Sequence, residues 1–201
     1  MIYMEEVLEN SWKLVQEYYE NHWLNSERSL QAILFHAIIR SEIPSDWRIF
    51  VEPMLGDGLV PDLVVLSPTS VKAIIEIKCM PHWWLERSKL NKDLEKLVYY
   101  SKQQHFEKDF FGPERVFDAH NKKWIDGKPL LSIDKDTVFA MVAITRDDSI
   151  SADIKKIRDS YPDISKINNF VLMTGSVSPD IENNRNKHVF RVDKLAMLNG
   201  R

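Results

Sequence analysis

Residues 59–79 read LVPDLVVLSPTSVKAIIEIKC, and this stretch decides the fold. Two apolar runs, Leu63-Val64-Val65-Leu66 and Ala73-Ile74-Ile75, flank the turn Ser67-Pro68-Thr69-Ser70. Ser and Pro favour chain reversal, and the β-branched residues on both sides favour strands. Two neighbouring antiparallel strands are expected, over 59–66 and 71–79. Side chains two apart on a strand share a face. Glu76 and Lys78 then point one way, and Ile75 and Ile77 the other. Pairing around the turn brings Asp62 beside Glu76 at one end of the sheet.

Working outward, Trp47 to Met54 reads as a preceding strand, joined through Gly56-Asp57-Gly58. Before it, Met4, Val7, Leu8, Leu14, Val15, Tyr18 and Tyr19 recur at helical spacing over 3–24. Asn25 or Ser26 can cap a second helix, whose stripe Leu30, Ile33, Leu34, Ala37 and Ile38 should stop before Pro44. After the third strand, Leu90, Leu94, Leu97 and Val98 mark a helix over about 86–104. Residues 107–136 lack a clear period and read as an insertion with at most short elements. Thr137–Thr145 is a buried strand, 150–160 a helix, and 170–174 and 189–192 short strands. The expected fold is α/β (α+β), a mixed central sheet flanked by helices in a single domain, 1–201. Its core, 26–145, runs α-β-β-β-α-β between the N-terminal helix and a C-terminal α/β extension, 146–201.

Composition narrows the function. The chain has 201 residues, 44% hydrophobic and 28% charged, as a folded domain requires. With 27 Lys+Arg against 30 Asp+Glu the net charge is −3, so no global basic field draws it to nucleic acid. Any such role rests on a local site. Neither a membrane span nor a signal peptide is expected, because the sequence holds no long apolar run and no basic leader. The single cysteine, Cys79, cannot close an internal disulfide and fits a reducing cytoplasm. No HExxH, Walker A or GxGxxG pattern is present.

The chemistry lies in Pro61-Asp62 and Glu76-Ile77-Lys78. Both strings have partial matches elsewhere in the chain, such as Pro162-Asp163 and Asp153-Ile154-Lys155, but only these two sit on adjoining apolar strands. Glu27 adds an acid at the head of the second helix's core-facing stripe. Like charges about 4 Å apart repel by roughly 4 kcal/mol at an effective dielectric near 20. A hard divalent cation, Mg²⁺ or Mn²⁺, relieves that repulsion through oxygen ligands. Asp62, Glu76 and the Ile77 carbonyl are the expected ligands, with Glu27 as accessory. Such a metal polarises a phosphodiester and acidifies water, while Lys78 can orient the attacking group and stabilise negative charge. The plainer alternative is a same-face ion pair of Glu76 and Lys78 at a strand end.

The ordered set Glu27 … Pro61-Asp62 … Glu76-Ile77-Lys78, on helix, strand and strand, resembles the PD-(D/E)XK nuclease superfamily. The resemblance implies a restriction-endonuclease-like fold and Mg²⁺-dependent hydrolysis of phosphodiesters, usually in DNA. It implies metal-ligand roles for Asp62 and Glu76, a catalytic role for Lys78 and an accessory acid at Glu27. An endonuclease on DNA is the expected activity. A non-catalytic nucleic-acid- or protein-binding module on the same fold is the alternative. Lys92 and Lys96 on the following helix, and Trp83 and Trp84 before it, are candidate nucleic-acid contacts. The low basicity leaves room for a homodimer or protein partner that supplies DNA-binding surface.

Overall fold

Two helices open the chain in the computed structural model, which describes residues 3–55, 58–80, 87–107, 115–118, 123–126, 130–145, 161–180 and 185–194. Helix α1 (Met4–Glu20) buries Met4, Val7, Leu8, Ser11, Trp12, Val15 and Tyr19; Ser11 and Trp12 join the expected stripe, while Leu14 and Tyr18 are only half-buried. Helix α2 (Glu27–Arg40) starts at a reciprocal cap. Ser26 Oγ accepts the Ser29 N–H at 3.2 Å, and Ser29 Oγ accepts the Ser26 N–H at 3.0 Å. This cap sets where the helix begins, and so places Glu27 in its first turn.

Strands β1 (Arg48–Val51), β2 (Leu63–Leu66) and β3 (Ser70–Met80) form an antiparallel meander. Helix α3 (Arg87–Ser101) follows, then β4 (His105–Glu107) and a separate hairpin of β5 (Arg115–Asp118) with β6 (Lys123–Asp126). Strand β7 (Leu130–Thr145) pairs parallel with β3, and β8 (Phe170–Asp180) pairs parallel with β7. The last strand, β9 (Arg185–Lys194), returns antiparallel to β8. The main sheet runs β1-β2-β3-β7-β8-β9, with β4 on the first residues of β7.

The sheet is a middle layer. On one side Leu63, Val65, Ala73, Ile75 and Ile77 pack with Leu30, Leu34 and Ile38 of α2 and with the α1 stripe. On the other, Val64, Ile74, Phe139 and Met141 pack with Leu90, Leu94, Leu97 and Val98 of α3. The alternation along β3 thus sends Ile75 and Ile77 to the α1/α2 side, and Ile74, Glu76 and Lys78 to the α3 side. Among the described residues no helix is long and apolar enough to cross a membrane.

Three elements are longer than their apolar patterns indicate. Strand β7 begins at Leu130 rather than Thr137, because an irregularity opposite Val71–Ala73 absorbs the polar stretch Asp134-Lys135-Asp136. Part of the expected insertion therefore belongs to the sheet. Strands β8 and β9 span 11 and 10 residues, since β8 continues past the last β7 pair, Thr145↔Ser176, with β9 alone. A ribbon with a single partner has less core to face, so hydrophobicity does not mark it. The helix expected over 150–160 lies outside the described residues.

Candidate functional site

The site forms where β3 outruns β2. The last pair in the register is Leu63↔Ile75, so the residues of β3 beyond it have no β2 strand beside them. Asp62, immediately before β2, fills that role with its side chain: Oδ2 accepts the Ile77 N–H at 2.6 Å. Its own carbonyl accepts the Glu52 N–H at 3.0 Å and Gln31 Nε2 at 3.1 Å. Asp62 is therefore tied to β3, to the end of β1 and to α2. Burial raises its pKa above the ordinary value, opposed by the Ile77 N–H and by the Lys78 ammonium.

Glu76 has no accessible surface. Its Oε2 lies 2.7 Å from Lys96 Nζ, while Oε1 has no hydrogen-bond partner among the described residues. Burial pushes this carboxyl from its ordinary 4.5 up to about 8, against the pull of Lys96 and with the repulsion of Asp62 and Asp93. A buried, half-satisfied carboxylate is costly to a fold and rarely retained for stability alone.

Lys78 reaches along the same face. Its Nζ lies 3.0 Å from Asp93 Oδ2 and 3.5 Å from Glu27 Oε1, and donates to the Ile77 carbonyl at 3.2 Å. Burial lowers its pKa, but the Asp93 and Glu27 carboxylates outweigh that and hold it above the ordinary value. Asp93 Oδ1 also lies 3.2 Å from Lys96 Nζ. Glu76, Lys96, Asp93, Lys78 and Glu27 thus form an unbroken chain of alternating acidic and basic side chains from buried strand to helix end. The Lys96 ammonium, likewise disfavoured by burial, is held charged by Glu76 and Asp93.

The sequence-predicted residues divide accordingly. Asp62, Glu76 and Lys78 lie together at one end of β3. Glu27 joins them through Lys78 rather than by direct contact with either acid. The Ile77 carbonyl, expected as a ligand, accepts from Lys78. Lys96 points into the site and ion-pairs there, whereas Lys92 is exposed. Trp83 and Trp84 lie outside the described residues. Among the described residues no three of His, Cys, Asp or Glu form a group that could hold a metal ion. Cys79 faces the α1/α2 layer, where burial pushes its thiol up to about 12.

Asp93 and Lys96 are the partners that strand periodicity did not supply. A signal for Asp93 existed: it lies three residues after Leu90 and four before Leu97, a charged residue within an apolar stripe, and Lys96 sits at the edge of that stripe, four residues before Tyr100. Tyr100 is itself fully buried, its hydroxyl unpartnered among the described residues, and its pKa is raised by burial and by Glu76. Comparison with known proteins finds no matching family model, no matching curated protein and no matching solved structure.

Proposed function

We propose that the chain is a Mg²⁺- or Mn²⁺-dependent phosphodiester hydrolase, a DNA endonuclease on the restriction-endonuclease-like PD-(D/E)XK fold. The order α2-β1-β2-β3-α3-β7 supports the fold, since it repeats the α-β-β-β-α-β core. One observation carries the function: Asp62, Glu76 and Lys78 gather at one end of β3, and Glu76 keeps a buried oxygen unpartnered among the described residues. The orphaned Glu76 oxygen is the feature that calls for a cation there. Asp62 and Glu76 would hold it, with the Ile77 carbonyl as a third oxygen and Glu27 accessory. When bound, such an ion supplies Lewis-acid polarisation of the phosphodiester and acidification of water.

The chain's own residues do the rest. Asp93 and Glu27 keep the Lys78 ammonium charged and fix its direction. A fixed ammonium stabilises negative charge developing on the phosphoryl oxygens without reorganising during reaction. The Ile77 N–H holds the Asp62 carboxylate in place before substrate arrives. A cytoplasmic setting and a DNA-binding surface completed by a second copy or a protein partner belong to the same proposal. The free thiol Cys79 and the net charge of −3 support them.

A second reading, a binding module without turnover, is favoured by the lysines that already neutralise Glu76 and Asp93. Plasmid cleavage separates the two. Purified protein with Mg²⁺ or Mn²⁺ should nick supercoiled DNA, EDTA should stop it, and Lys78→Ala should lose several orders of magnitude in rate. Nuclease catalysis lowers its barrier by roughly 8–23 kcal/mol, so losing a transition-state charge partner is plainly visible. Cleavage unchanged in Lys78→Ala would refute the assignment. No cleavage by wild type with either metal would favour the binding module.

A further inference from the structure

We propose that Lys96 is a built-in, displaceable counter-cation of this site, which competes with a divalent cation for Glu76 and thereby sets the metal affinity. The inference rests on the metal-dependent reading above and adds a regulator to it. Glu76 is fully buried with one oxygen on Lys96 at 2.7 Å and the other unpartnered among the described residues. The ammonium therefore satisfies only half of the carboxylate. Lys96 also has a second resting place already in contact, Asp93 Oδ1 at 3.2 Å. Releasing Glu76 does not strand a buried charge, because the lysine stays paired on its own helix. Nor is Lys96 sealed in: its side chain keeps 26% of its surface exposed, against none for Glu76.

A resident monovalent cation offsets the repulsion between Glu76 and Asp93, which Lys96 bridges. It also makes metal uptake an exchange reaction. A divalent ion must offer Glu76 more than the ammonium does, and the lysine's departure to Asp93 is the counterpart of its binding. Removing the lysine's charge removes the competitor. Changing it to arginine strengthens the competitor, since a guanidinium grips a carboxylate through two parallel hydrogen bonds.

The test is direct Mn²⁺ binding to EDTA-stripped full-chain protein, read by electron paramagnetic resonance of the free ion, with folding checked by thermal unfolding. Lys96→Gln keeps a donor for Glu76 but no charge, and should bind Mn²⁺ at least about tenfold more tightly than wild type. Lys96→Arg should bind roughly tenfold more weakly. Wild-type affinity in Lys96→Gln, with Asp62→Ala abolishing binding, would overturn the exchange while leaving the metal site standing. If Lys96→Gln does not fold, Lys96→Arg decides alone: affinity equal to or tighter than wild type overturns the exchange. Absence of Mn²⁺ binding in wild type and in every folded variant overturns the exchange and the metal reading together.

Discussion

Asp62 Oδ2 accepts the Ile77 backbone N–H at 2.6 Å, a side chain doing the work of the strand that β2 no longer provides. The contact ties two of the sequence's separated strings, Pro61-Asp62 and Glu76-Ile77-Lys78, through a single hydrogen bond. It also gives Asp62 a structural duty that can be separated from a chemical one.

That separation is testable. Asp62→Asn retains an oxygen that can accept the Ile77 N–H, so its stability in urea should stay within about 1 kcal/mol of wild type. Asp62→Ala leaves a buried donor unsatisfied and should cost about 1–3 kcal/mol. On the hydrolase reading proposed above, both should lose metal-dependent cleavage to background, since neither carries a carboxylate. An active Asp62→Asn enzyme would confine this residue to its structural duty.

Stability should depend on pH through Glu76. Its carboxyl is raised from 4.5 to about 8 in the folded protein, so between those values the folded state binds more protons than the unfolded state. Stability contributed by the neutral form is complete below about 4.5 and is lost as pH rises through about 8, to the extent of a few kcal/mol. Urea midpoints in EDTA should fall between pH 5 and pH 8 for wild type. They should change distinctly less in Glu76→Gln. Parallel pH profiles for the two proteins would show that Glu76 titrates normally.

Gly175 on β8 tests the α1 side of the sheet. A Cβ there would lie 2.9 Å from Phe190 Cε1 and 3.2 Å from Ile144 Cγ1. The Phe190 ring cannot simply move aside, because it packs 5.2 Å from Trp12 and 5.6 Å from Tyr19, centroid to centroid. Gly175→Ala should cost about 1–3 kcal/mol through overpacking. Calorimetry of the single and double variants should show that the cost shrinks when Phe190→Ala is also present. Fully additive losses would mean that the ring is not what excludes the side chain.

Much of the candidate site's geometry was legible in the sequence, for a local reason. Glu76 and Lys78 share a face because strand side chains alternate, and a short turn fixes which end of β2 meets which end of β3. Glu27 was legible as the first turn of α2 because Ser26 and the apolar stripe mark the helix start. The full lengths of β7, β8 and β9 were not, since a polar irregularity and a two-stranded ribbon carry no hydrophobic period.

The sequence by itself determined the two-residue alternation of β3, the cap and stripe of α2, and the placing of Asp62 beside the end of β3 that carries Glu76 and Lys78. Only the tertiary structure decided what those acids touch. Asp93 and Lys96 read more readily as part of a solvated helix face, and became partners of Lys78 and Glu76 when α3 packed on the sheet. The physical reason is that periodicity is a property of neighbouring backbone units. Charge pairing across 20 residues, as between Glu76 and Lys96, depends on how two packed layers set their distance and rotation.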